Sequence, residues 1–218
     1  IAKIKNKYRY KIIIKFKNNK EFRDMMSKLL LNFGRLKEYK SINLFIDINP
    51  DIVMWLFRGY NMAIRNIIKE GDAILSKTSR KIENFDQKLW QLLDDMNETM
   101  RKANGVGLAA VQVGMLKRCV IVDIGDEEGL IELINPVIVE KSGSQNEVEG
   151  CLSCPGEYGI TERPMNIRVK AQDRNGNSMD LEVSGFKAVA FCHEIDHLDG
   201  ILFKEKAIRM LDPSELDN

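Results

Sequence analysis

The chain has 218 residues, 44% hydrophobic and 30% charged, an ordinary globular balance that excludes disordered, collagen-like and disulfide-scaffold classes. Its formal net charge of +1 hides a division: residues 1–61 hold 14 basic against 5 acidic residues (+9), and residues 62–218 hold 19 basic against 27 acidic (−8). Such asymmetry predicts two parts of different origin. The apolar runs Ile12–Ile14 and Ile52–Phe57 fall far short of the ~18 residues a membrane span requires. No secretion-signal pattern is present, and the four Cys read as reduced thiols of a cytoplasmic protein. Because the first residue is Ile1, the chain is expected to be a fragment at that end.

In chain order, residues 8–17 are β-branched, aromatic and basic and predict a strand. Phe22, Met25, Met26, Leu29, Leu30 and Phe33 recur at helical spacing. Residues 42–48 predict a second strand, closed by Asn49-Pro50. This β-α-β unit of residues 1–50 is marginal as an independent domain. Residues 51–61 are too apolar for an ordinary linker, and the boundary falls at Met62. A short strand-like opening follows, with a turn at Gly71-Asp72. From Asp86 to Asn104, Leu89, Leu92, Leu93, Met96, Met100 and Ala103 share one helix face, with Gly105 as the stop. Strands are predicted at 118–124, 130–140 and 166–172, with Asn175-Gly176 turning the last into a hairpin. A final helix is expected over Phe186–Leu198. Antiparallel strands with two segregated helices predict an α+β domain over 62–218.

The chemistry begins with His193-Glu194-Ile195-Asp196-His197 on that last helix. Residues four apart share a face, so both imidazoles can reach one metal ion, and Glu194 can act on water bound there. A catalytic metal needs a third ligand. The chain has no other His, which leaves Glu205, Glu215 or a Cys. Cys119 sits in a strand run and reads as a buried hydrophobe, and Cys192 points off the ligand face. Cys151, with Cys154 as neighbour, is the expected source. The Gly105-Val106-Gly107 run is either a helix stop or a close backbone approach to a ligand, and it does not fit a dinucleotide fingerprint. Gln112 can donate its amide to a developing oxyanion. Val106, Phe186 and Val189 read equally as substrate pocket or as core.

Taken together, GVGLAAVQ, EGCLS and HEIDH resemble the three signature motifs of the peptide deformylase family, over essentially all of 62–218. The resemblance implies antiparallel sheets packed around a central HExxH-bearing helix. It implies removal of the formyl group from formyl-methionyl nascent peptides, with the ribosome as a further partner. It implies one divalent metal ion, Fe²⁺ in most members with Zn²⁺, Ni²⁺ or Co²⁺ substituting, held by Cys151, His193 and His197. Glu194 would be general acid and base, and Gln112 with the backbone N–H of Leu152 would form the oxyanion site. Gly107 would lie along the substrate backbone, while Val106, Phe186 and Val189 read equally as a methionine pocket or as core. Two departures are Ala73, where the family commonly has Pro, and Cys154, where it commonly has an apolar residue. A second thiol beside the site would sensitise it to oxidation.

Residues 1–50 resemble the last strand-helix-strand of the bacterial primosomal replication-restart helicase, without any catalytic motif. The resemblance implies a partial C-terminal segment; its basic face of +9 could touch nucleic acid but reads rather as a solvated Lys-rich face of an incomplete domain. Residues 51–61 then read as a linker or a translated intergenic stretch. Two competing readings are a metallopeptidase with Glu215 as third ligand, and a metal-stabilised module acting on DNA through residues 1–50.

Overall fold

The computed structural model describes residues 2–4, 7–9 and 64–215. The chain divides into two compact units, Ile1–Asn61 and Met62–Asn218. In the first, β1 (Ala2–Ile4) pairs antiparallel with β2 (Lys7–Arg9), Ala2 opposite Arg9. The helix expected within 21–36, the strand at 42–48 and the stretch 51–61 lie outside the described residues.

The second unit is built on helix α1 (Gln87–Lys102). The Asp86 side chain caps its start by accepting from the N–H groups of Lys88 and Leu89, satisfying two otherwise unpaired donors. Its end differs from the expected glycine stop. Asn104 takes the left-handed conformation (φ 54°), and Gly105 N–H bonds back to Met100 O at 3.0 Å. This is a Schellman closure with Asn in the position glycine more often fills. Gly105 and the residues after it are thereby released to start a strand.

That strand, β3 (Gly107–Ala109), opens a five-stranded antiparallel sheet. The order is β3, β4 (Cys119–Val122), β5 (Ile131–Ser142), β8 (Asn166–Gln172) and β9 (Ser178–Ser184). Between β5 and β8 the chain makes β6 (Gln145–Cys151) and β7 (Cys154–Arg163). With β10 (Ala207–Leu211) these form a second, three-stranded antiparallel sheet in the order β10-β7-β6. Helix α2 (Gly185–Leu198) touches both sheets.

Every residue of β4 is buried, because the sheet is covered on both faces there. Cys119 and Ile121 point into a cluster with Leu89, Leu93 and Met96 of α1. Val120 and Val122 point the other way, into a cluster with Phe191, Ile195 and Leu198 of α2. Most of α2 is buried, which is why its sequence is apolar nearly all round and breaks only at His193, Glu194 and His197 and at the ion-paired Lys187 and Asp196.

Two expectations are corrected. The opening at 64–69 is not a strand; its backbone instead clips other segments, with Ile68 N–H donating to Gln112 O (2.8 Å) and Glu70 N–H to Ser153 O (2.9 Å). The region 145–163, from which no strand is expected, is a long hairpin. Its buried positions include the polar Glu149, Thr161 and Arg163, its exposed ones include Val148 and Tyr158, and Pro155, Gly156 and Gly159 break the run, so the apolar alternation that reveals a half-buried strand is absent.

Candidate metal centre

Two elements bring the donors together. On α2, His193 and His197 lie one turn apart, their rings edge-to-face at 4.9 Å. Phe203, buried just beyond the helix, stacks on the His193 ring at 6.0 Å and 25°. Cys151 enters from the end of β6. Its Sγ is 3.2 Å from His197 Nε2, and the donor atoms of Cys151, His193 and His197 all lie within 4.8 Å of one another. Among the described residues this is the one such group. The competing ligands are engaged elsewhere: Glu205 accepts from Leu202 N–H, and Glu215 pairs with Arg209.

The residues present fit a metal ion. One thiol and two imidazoles are the donors borderline cations take, with a coordination position left open. Burial, then the neighbouring His193, push the His197 imidazole well below its ordinary value, leaving it neutral. The hydrogen bond shared with Cys154, then burial, raise the Cys151 thiol. The site therefore does not hold a thiolate there by itself, and a bound cation reverses that balance.

Glu194, beside the donors, is buried, and its Oε2 finds no hydrogen-bond partner among the described residues. Burial lifts its carboxyl to about 7. A Cβ built on Gly107 would lie 2.7 Å from both Cγ and Cδ of Glu194. Gln112 is buried on the short 3₁₀ turn Ala110–Val113. Its Oε1 accepts from Ala109 N–H (2.8 Å), and its NH₂ donates to Ser153 Oγ (3.1 Å) and faces Cys151 Sγ (3.5 Å). The amide is thus oriented with its donors toward the ligand turn. Leu152 occupies that turn between β6 and β7, its carbonyl accepting from Lys69 Nζ at 2.6 Å.

Val189 and Phe186 fall one and two turns before His193 on the same face of α2. Val189 is buried but belongs to neither core cluster, whereas Val106 and Phe186 are 42% and 47% exposed. Cys119 and Cys192 are buried in the two core clusters.

A residue that sequence reasoning missed is Glu149. Its Oε2 lies 2.6 Å from His193 Nδ1, while Oε1 accepts from Arg163 Nε (2.6 Å) and from Thr161 Oγ1. Arg163 in turn reaches Asp196 (2.6 Å). Burial raises the Glu149 carboxyl, but the bonds from His193 and Arg163 outweigh it and hold it at about 2. A carboxylate behind a ligating imidazole fixes its tautomer and turns Nε2 to the metal. The signal was present: Glu149 is two residues before Cys151, and alternate residues of a strand share a face.

A family model for polypeptide deformylases matches residues 64–212. The chain belongs to the peptide deformylase family. Over 156 residues it is 57% identical to the peptide deformylase of Caldicellulosiruptor bescii, spanning 72% of this chain and 93% of that protein. The solved peptide deformylase from Legionella pneumophila is similar with a TM-score of 0.64 at 41% identity, over 70% of this chain and 89% of that one. A class I type b peptide deformylase from Acinetobacter baumannii, solved with Met-Ala-Ser bound, is 34% identical with a TM-score of 0.63, over 66% of this chain and 99% of that one. The deformylase domain thus occupies the acidic part of the chain. Among the described residues no helix is long and apolar enough to cross a membrane.

Proposed function

We propose that Cys151, His193 and His197 hold one divalent metal ion, with Fe²⁺ the native one, and that Glu194, Gln112 and Leu152 perform the chemistry around it. As a peptide deformylase, the chain is a hydrolase that removes the formyl group from the N-terminal methionine of nascent polypeptides. When bound, a divalent cation at this donor set polarises the formyl carbonyl and lowers the pKa of water beside it. Glu194 accepts the proton of the attacking water through its unpartnered Oε2 and passes it to the leaving amine. The amide of Gln112 and the backbone N–H of Leu152 hold the developing oxyanion, a role in which one donor is typically worth ~10²–10³ in rate. Gly107 lines the substrate backbone, and Val106, Phe186 and Val189 take the methionine side chain. The Met-Ala-Ser complex of the Acinetobacter relative supports a site for a methionine-first peptide.

The observation that carries this reading is the convergence of three metal donors on one point, with a buried carboxylate oxygen beside them that has no partner among the described residues. Formate release from a formyl-methionyl peptide tests it, with protein prepared without oxygen and loaded with Fe²⁺ or Ni²⁺. No release above the metal-free control overturns it. Cys151→Ser is expected to weaken metal binding strongly; unchanged binding removes Cys151 from the ligand set.

The domain reading is that 62–218 is the deformylase, 51–61 a linker or translated intergenic stretch, and 1–50 a helicase-derived segment without a role in the reaction. Residues 62–218 alone are then expected to release formate at the rate of the full chain. The enzyme works in the bacterial cytoplasm, on peptides emerging from the ribosome.

A further inference from the structure

Cys154 is a nucleophilic side chain that the deformylation chemistry leaves unused. It lies directly opposite Cys151 in the β6–β7 hairpin, across the two-residue turn Leu152-Ser153. Cys154 is 1% exposed, while Cys151 is partly exposed. Cys154 is not one of the three convergent donors. Directly opposed residues of an antiparallel pair have Cα atoms about 4.5–5.5 Å apart, inside the span of about 4.4–6.8 Å that a disulfide bridges. All four cysteines are free thiols, and the other two lie in separate core clusters.

We infer that Cys151 and Cys154 form a reversible redox pair, in which peroxide converts the metal-ligand sulfur into a disulfide. Cys151, the more exposed, attacks a peroxide oxygen. The O–O bond breaks, an S–O bond forms, and sulfenic acid and one water result. Cys154 Sγ then attacks the Cys151 sulfur. The S–S bond forms, the S–O bond breaks, and hydroxide leaves with the Cys154 proton as a second water. Two electrons have passed from the sulfurs to the peroxide. Burial of Cys154 is no obstacle, because its step is intramolecular. The disulfide has no thiolate to offer, so one of three protein donors is lost. A dithiol reductant restores both thiols, whereas sulfinic and sulfonic acids are not recovered this way. The disulfide rests on the hairpin alone; its consequence, metal release, rests on the proposed ligand role of Cys151.

The test treats full-length protein, metal-free and Ni²⁺-loaded, with an excess of hydrogen peroxide. The wild type is expected to lose about 2 Da and two reactive thiols, to yield a non-reduced peptide joining Cys151 to Cys154, and to recover fully with dithiothreitol. Cys154→Val, with Cys154→Ser as a second variant, is expected to gain about 32 or 48 Da on the Cys151 peptide, without recovery. The pair is overturned if wild-type protein gains oxygen at Cys151 as fast as Cys154→Val, or if another pair of cysteines is linked. Nickel leaving in step with the disulfide supports the ligand role. A disulfide formed with the nickel retained upholds the redox pair and removes Cys151 from the ligand set.

Discussion

Gly107 and Glu194 touch across the join between β3 and α2, so closely that a side chain at 107 would occupy the space of the glutamate carboxyl and its stem. Glycine is needed here for close approach, not for a left-handed turn, since Gly107 is absent from the positive-φ residues. Gly107→Ala is therefore expected to push Glu194 off its position. Displacement of a catalytic group by ~1 Å costs on the order of 10²-fold, so kcat/KM should fall by about that factor while metal content by elemental analysis stays at the wild-type level. Normal turnover in this variant would show that the carboxyl tolerates displacement.

Glu194→Gln keeps the volume and removes the proton acceptor. The expected result is full metal occupancy with formate release lowered by ~10²–10⁴. Burial holds the carboxyl at about 7 without a cation, and a nearby positive charge favours the ionised form. A base works deprotonated, so activity should fall as pH drops through an acid limb at or below 7. That limb should vanish from the residual activity of Glu194→Gln.

Glu149→Gln removes the charge that orients His193 and faces Arg163. Loss of such a partner behind a ligating His typically weakens metal binding by about 10–100-fold, measurable by chelator competition. The same residue sets an acid limit on stability. Its folded value of about 2 lies below the ordinary 4.5, so the unfolded chain binds more protons between those values. The stabilisation is complete above about 4.5 and drains away as pH falls toward about 2. Acid unfolding of Glu149→Gln should lack that component, and Arg163, left without its main partner, should lower stability at neutral pH as well.

Cys119 offers a check on the two-sided core. Burial raises its thiol from 9.0 to about 12. Here the folded state retains the proton, so stability should decline as pH rises above about 9, where the unfolded chain ionises first. In native protein at pH 8, iodoacetamide should leave Cys119 unmodified while labelling it fully in denaturant.

Lys69 Nζ holds the carbonyl of Leu152, and the amide on the other side of that peptide, Ser153 N–H, faces Cys151 Sγ at 3.4 Å. Lys69→Met should loosen the turn that presents the Leu152 N–H. The expected loss is in kcat, with KM little changed, and Lys69→Arg should restore part of it. An effect confined to KM would place Lys69 in substrate binding instead.

Much of this protein can be read from local pattern. Apolar spacing marks α1, β4 and α2 because each packs a continuous stripe or a doubly buried run into the core. The i, i+4 spacing of His193 and His197 implies a shared metal before any fold is known, because one helical turn is enough to bring two imidazoles to one point. Cys151 was selected by elimination and by family resemblance, without a geometric reason. That reason appears only when the β6–β7 hairpin, whose polar buried positions Glu149, Thr161 and Arg163 mask it, brings its tip to α2. The contact of Gly107 with Glu194, the backing of His193 by Glu149, and the pairing of Cys151 with Cys154 link positions on different strands and helices. Sequence periodicity records which face of its own element a residue occupies; only the packing of that element against another decides what the face meets.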